Sequence, residues 1–194
     1  MNDQAITNIP AVLDAIRRDT EAIGFMMASE PQTGSLLRTL AASKPAGQFL
    51  ELGTGNGVGT AWLIAGMDAS SGLDSVDSDA TVSAVARRHL GHDRRVTFHV
   101  SDAASFLVTV AAPRFDFIYA DTWAGKFTHL DLALSLLRPG GIYFVDDLLP
   151  QPSWPEEHAP RVPKLIAQLE QRAGFVATRL SWASGLMILV RTGL

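Results

Sequence analysis

"FLELGTGNGVGT", residues 49–60, decides how the rest of the chain reads. It runs from apolar residues through Glu51 into glycines at positions 53, 55, 57 and 59. Gln48–Leu52 has strand character and Gly59–Met67 reads as a helix. The glycines therefore form a strand-to-helix turn, the context in which such a loop binds a ligand. No Gly-Lys-Ser/Thr follows, so it is not a P-loop. It is not a strict G-x-G-x-x-G either, because Val58 stands where the pattern anchored on Gly53 wants its last glycine. Bare amides suit a diphosphate, but Glu51 beside them would repel one and attract an ammonium or sulfonium. The expected ligand is a zwitterion with a positive centre. The alternative is that Glu51 is a solvated strand-end acid and the glycines only make a tight turn.

Outward from this loop, strands and helices alternate. Leu73–Asp77, Val96–Val100, Phe115–Ala120 and Ile142–Val145 read as strands. Asp79–Leu90, capped by Ser78, Ala103–Ala111 and Lys126–Leu137 read as the helices between them. Prolines at 150, 152, 155, 160 and 163 punctuate a loop. A helix over Val162–Ala173 follows. Phe175–Ser181 and Leu186–Arg191, separated by "WASG", read as a closing hairpin. Upstream, Pro10–Met27 and Thr33–Ser43 have helical spacing. The fold class is α/β: a doubly wound, mostly parallel seven-stranded sheet with an antiparallel C-terminal hairpin. Residues 1–45 form N-terminal helices packed on a domain of residues 46–194, a single domain overall. Ligands of such sheets bind outside the strand carboxyl ends, where the strand order reverses.

Composition excludes several classes. The chain has 194 residues and no cysteine, so disulfides, thiolate zinc sites and cysteine nucleophiles are out. Net charge is −4 with the signs interspersed, which is no basic footprint for nucleic acid. No apolar run approaches the ~20 residues of a membrane span, and no signal-peptide pattern opens the chain. A cytoplasmic protein is expected. The five histidines, at 89, 92, 99, 129 and 158, show no metal-ligand spacing. His129 follows the fourth strand and is a candidate to face the site.

Strand tips supply the remaining candidates. Asp77 ends the second strand about 20 residues past the loop, where a carboxylate accepts both ribose hydroxyls of an adenosyl group. The alternative reading is an acid favoured at a helix N-terminus, and Asp79 competes for the role. Asp102 either accepts from an adenine amino group or caps a helix. Asp121 ends "FIYAD", and Asp146 and Asp147 end "GIYFVDD". These two strands are neighbours in a doubly wound sheet, so the three acids share a rim. Packed like charges raise one another's pKa unless a cation is shared. Oxygen-only ligands suit Mg²⁺, Mn²⁺ or Ca²⁺.

The ordered set "LELGTGNGVGT", "VDSD", "SDA", "FIYAD" and "PGGIYFVDD" resembles the class I S-adenosylmethionine-dependent methyltransferases. More closely it resembles the small catechol-type O-methyltransferases, over about residues 30–192. The resemblance implies S-adenosylmethionine as cofactor and a small hydroxylated, aromatic acceptor. It places Gly53, Thr54, Gly55 and Gly57 under the methionyl part, with Gly59 and Thr60 at the helix start that receives its carboxylate. Glu51, Asp121 and Trp123 border the same ligand. Asp77 and Ser78 lie at the ribose, Asp102 and Ala103 at the adenine, and Glu30 lies in a covering segment, "SEPQTGSLL".

In that family two aspartates and an asparagine hold a magnesium that binds both hydroxyls of an ortho-diphenol. Asp121 and Asp146 match the aspartates, and Asp147 stands where asparagine is typical. The family's lysine falls two or three residues after the first aspartate. Trp123 and Ala124 stand there, so Lys126, with Asp121, is the catalytic candidate. Trp154, in the proline loop, either stacks on an acceptor or anchors the loop. A homodimer is a further expectation. The competing readings are a metal-independent methyltransferase on another O or N acceptor, including a modified tRNA base, an NAD-type oxidoreductase, and a non-catalytic adenosyl-ligand-binding protein.

Overall fold

The structure is a computed structural model that describes residues 2–111 and 113–193. Met1, Ala112 and Leu194, which fall in the expected domain ranges, lie outside the described residues. The elements run α1 (Leu13–Ile23), α2 (Pro31–Ala42), β1 (Gln48–Leu52), α3 (Val58–Gly66), β2 (Gly72–Asp77), α4 (Ala80–Leu90), β3 (Val96–Val100), α5 (Ala103–Thr109), β4 (Phe115–Ala120), α6 (Leu130–Ser135), β5 (Leu137–Val145), a 3₁₀ turn (Ala159–Arg161), α7 (Val162–Glu170), β6 (Phe175–Leu180) and β7 (Leu186–Arg191).

The sheet order is β3-β2-β1-β4-β5-β7-β6. The first five strands are parallel, and β7 runs antiparallel between β5 and β6. Strand order reverses between β1 and β4, so the crevice for a ligand opens between their tips. Along β4 the side chains alternate between two buried layers. Ile118 and Ala120 pack with Leu50, Leu52 and Val145 on one face. Phe117 and Tyr119 pack with Phe49, Phe144, Trp62 and Leu37 on the other. Both faces are covered, which is why these strands read as near-continuous apolar runs.

Several boundaries differ from expectation for local reasons. The first helix stops at Gly24, whose left-handed φ of 68° lets its N–H close on Thr20 and Glu21 carbonyls. Phe25, Met26 and Met27 thus leave the helix. The cap of α4 is Asp79, not Ser78, since the Asp79 carboxylate accepts from the Thr81 and Val82 amides. The largest shift follows β4. Instead of a helix from Lys126, the amides of Lys126, Phe127 and Thr128 all donate to the Trp123 carbonyl. His129 then takes a φ of 55°, and α6 starts only at Leu130. This compact turn brings Lys126 back toward the β4 tip.

Candidate active site

Two adjoining cavities open at the switch point. The larger, of about 610 Å³, is bordered by Gly53 and Gly55 at the β1 tip and by Asp77, and extends to Asp121, Lys126 and Trp154. The smaller, of about 140 Å³, lies between Asp77 and Ser78 on one side and Asp102, Ala103 and Trp123 on the other. Gly53 and Asp77 border both. Gly53 has a φ of 103°, and a Cβ there would lie 2.7 Å from the Asp121 carbonyl oxygen. A side chain at this position would be strained and would push the β1 and β4 tips apart. Gly57, with a φ of 92°, sits against α4, where a Cβ would meet Ala86 Cβ at 2.6 Å.

The loop itself orients Asp77. The Gly55 amide donates to Asp77 Oδ2 at 2.7 Å, and the Asp79 amide donates to Oδ1 at 2.8 Å. Held this way, the half-buried carboxylate borders both cavities. Asp102 caps α5 through the Ser105 amide at 2.8 Å, which holds its carboxyl below the ordinary range. It also borders the smaller cavity, so its role as a cap does not remove it from the crevice.

Glu51 is placed differently from the sequence expectation. It is fully buried and borders neither cavity. Its Oε2 accepts from Thr60 Oγ1 and Ser75 Oγ, each at 2.5 Å, while Oε1 has no partner. Burial pushes the carboxyl up to about 8, against the lowering pull of the two hydroxyls. Glu51 therefore lies protonated beneath the loop at neutral pH and supplies no exposed charge for a sulfonium. Thr54, Gly57, Gly59 and Thr60 also border neither cavity. Thr54 Oγ1 bonds Ser75 Oγ at 2.6 Å, and Thr60 is committed to Glu51. Their part is to shape the turn.

The three rim acids do converge. Registry of β4 on β5 pairs Ala120 with Val145, which sets Asp121 and Asp146 side by side at the strand tips. Tyr119, two residues before Asp121 and so on the same face, puts its hydroxyl 3.0 Å from Asp121 Oδ2 and 2.8 Å from Asp146 Oδ2. Ser29 Oγ reaches the same hydroxyl at 3.1 Å from the covering segment. Asp146 Oδ1 accepts from Ser184 Oγ and, at 2.8 Å, from the Asp147 amide. Lys126 is only 2% exposed, with Nζ 3.7 Å from Asp121 Oδ1 and 3.2 Å from the Asp146 carbonyl oxygen. Burial, then the neighbouring Asp146, pushes the Asp121 carboxyl well above the ordinary range, and Lys126 opposes that shift. Asp146 is raised by burial and then by Asp147. Glu30 lines the larger cavity and lies near this rim: burial, then Asp146 and Asp147, raise its carboxyl.

This donor set does not fit the divalent ion the sequence suggests. Among the described residues no group of three or more His, Asp or Glu side chains is disposed to hold a metal ion. The aspartate oxygens that would take one are already engaged by Tyr119, Ser184 and Lys126.

An aromatic wall faces the acids. Trp154 stacks on His158 at 4.1 Å, and Phe127 meets the same ring edge-on at 4.9 Å. Trp123 carries the Arg161 guanidinium over its face at 4.9 Å. His158 Nε2 lies 3.3 Å from the Asp147 carbonyl oxygen, and burial lowers its pKa. His129, in contrast, is exposed and borders neither cavity. Sequence reasoning missed Tyr119, Ser29 and Ser184. Only Tyr119 left a signal, through its two-residue offset from Asp121.

A family model described as a methyltransferase domain matches residues 50–148. The catechol O-methyltransferase of Niastella koreensis is 29% identical over 146 residues, which cover 72% of this chain and 66% of that protein. The matches to curated relatives span 62% to 66% of their length, just under two thirds. Among solved structures, the O-methyltransferase TomG from Streptomyces achromogenes, in complex with SAM, aligns with a TM-score of 0.81 at 23% identity, covering 94% of this chain and 90% of that one. The O-methyltransferase from Bacillus cereus, in complex with SAH, aligns at 0.83 and 18% identity, covering 98% and 94%. These structural likenesses are likenesses of fold.

Proposed function

Because this chain belongs to the methyltransferase-domain family, we propose that it is an S-adenosylmethionine-dependent O-methyltransferase acting on a small hydroxylated aromatic acceptor. One observation carries the reading: a single cavity runs from the glycine loop and Asp77 to the Lys126–Asp121 pair. A two-ended cofactor and its acceptor need such a shared space. S-adenosylmethionine, when bound, supplies an activated methyl group on a sulfonium. Asp77 is the ribose ligand, and Asp102 with Ala103 borders the adenine. The open backbone at Gly53 and Gly55 takes the methionyl part.

The chain's own residues then act on the acceptor. Trp154 and Trp123 offer flat faces for an aromatic body. Asp121 is the group that accepts the hydroxyl proton, through Oδ1, since burial and the neighbouring Asp146 raise its carboxyl and make it a stronger base than an ordinary aspartate. Lys126 faces the oxygen as it gains negative charge. Holding that oxygen in line is worth roughly 7–11 kcal/mol by proximity alone. A divalent ion at this rim would have to displace the Tyr119 and Ser184 donors and sit beside the Lys126 ammonium.

Among the described residues no helix is long and apolar enough to cross a membrane. A homodimer and a cytoplasmic location remain part of the proposal. The test of the function is release of S-adenosylhomocysteine across a panel of phenols and catechols. Turnover by the wild type, lost in Asp121→Asn and Lys126→Met, supports the reading. A folded protein that binds the cofactor product yet methylates no member of a broad hydroxylated panel argues for the non-catalytic alternative.

A further inference from the structure

Rim acids at a strand tip demand a cation, and this chain carries one of its own. We infer that the Lys126 ammonium and the Tyr119 hydroxyl together take the position that a divalent ion would need, so that the acceptor oxygen meets Lys126 in a metal-free pocket. The inference rests on the methyl-transfer reading above and narrows its acceptor class.

The geometry leaves little choice. A magnesium ion bridging Asp121 and Asp146 must sit about 2.0–2.1 Å from an oxygen of each. The inward oxygens, Asp121 Oδ2 and Asp146 Oδ2, instead share the Tyr119 hydroxyl at 3.0 and 2.8 Å. That hydroxyl is fixed from below, because Tyr119 is fully buried on β4 with its ring edge-on to Phe144. Asp146 Oδ1 points instead to Ser184 and the Asp147 amide. Ser184 is held there by two backbone bonds that tie the loop after β5 to the turn before β7, Leu148 N to Gly185 O and Leu149 N to Ser184 O. Asp121 Oδ1, the last candidate oxygen of the pair, faces Lys126 Nζ at 3.7 Å. Three of the four carboxylate oxygens of the pair thus lie within hydrogen-bond distance of a protein donor, and the fourth faces the Lys126 ammonium.

Lys126 is also not free to swing aside. Its side chain is 2% exposed, and the residues 123–128 turn returns it to the rim. A divalent ion entering beside a buried ammonium would meet like charge at short range, where little water screens it. A metal that chelates two neighbouring hydroxyls makes a vicinal pair a requirement, whereas an ammonium needs only one oxygen to contact. The acceptor class that follows is an aromatic compound that need carry only a single hydroxyl. A vicinal pair is not required.

The experiment is electron paramagnetic resonance of Mn²⁺ with the purified wild-type protein saturated with S-adenosylhomocysteine. Saturation is followed by calorimetry on the same sample. The inference predicts that the free aqueous Mn²⁺ signal is undiminished up to millimolar metal. Loss of signal at one ion per chain that disappears in the double variant Asp121→Ala/Asp146→Ala overturns it. Loss of signal that persists in the double variant locates the ion elsewhere and leaves the rim metal-free, as inferred. Failure of the methyl-transfer reading itself appears separately, as absent calorimetric binding of S-adenosylhomocysteine.

Discussion

Replacing Glu51 by glutamine should abolish a loss of stability of about 3–4 kcal/mol between about pH 5 and about pH 8. The carboxyl stands at about 8 in the folded chain, against an ordinary value of 4.5. The folded state therefore holds a proton that the unfolded chain releases first. Below the unfolded value both states are protonated and Glu51 costs nothing. Between the two values stability falls by about 1.4 kcal/mol per pH unit as pH rises. Above about 8 both states are ionised and the loss levels off. The amide of Glu51→Gln does not titrate. Its oxygen can accept from Thr60 and Ser75 as Oε2 does now, and its NH₂ takes the place of unpartnered Oε1. Urea unfolding of both proteins across this pH range, in the absence of cofactor, gives the two stability curves. Subtracting one from the other removes the titrations they share. The wild type should fall relative to the variant by about 3–4 kcal/mol. A difference that stays flat to within about 1 kcal/mol would refute the protonated buried acid and return Glu51 to a solvated strand end.

Three further outcomes are expected. Gly57→Ala should destabilise the fold by about 2–4 kcal/mol, from a left-handed φ and a Cβ clash with Ala86, read as a lower urea midpoint at unchanged slope. Lys126→Met should lower kcat by about 10²–10⁴-fold while changing the calorimetric affinity for S-adenosylhomocysteine by less than about threefold. An equal loss in both would make Lys126 a binding residue. Trp154→Ala should raise the acceptor KM more than it lowers kcat, since the indole is offered as a surface for the acceptor. A kcat effect alone would instead fit the loss of its stacking on His158.

The glycine loop, the alternating elements and the strand-tip acids were legible because each follows from a local pattern. A buried parallel strand is a short apolar run, and its tip is where a charged residue first becomes tolerable. That logic found Asp77, Asp102, Asp121 and Asp146. It failed at Glu51, because β1 is covered on both faces and alternation does not tell an inward acid from an outward one. It also failed after β4, where the apolar spacing of Lys126–Leu137 suits a helix. Three amides converging on the Trp123 carbonyl and a left-handed His129 delay that helix to Leu130. The reach of Lys126 to Asp121 depends on this turn, so its fitness could not be judged from spacing. Ser184 lies 38 residues from Asp146. Its contact exists only because β7 inserts between β5 and β6, a pairing that strand patterns do not specify.

The account stands on an adenosyl sulfur compound occupying the crevice between the β1 and β4 tips. Isothermal calorimetry with S-adenosylhomocysteine and, separately, with NAD⁺ tests that most directly. One-to-one heat with S-adenosylhomocysteine, weakened by about a hundredfold in Asp77→Ala through lost charge-assisted hydrogen bonds, is the predicted result. Heat with NAD⁺ and none with S-adenosylhomocysteine would contradict it.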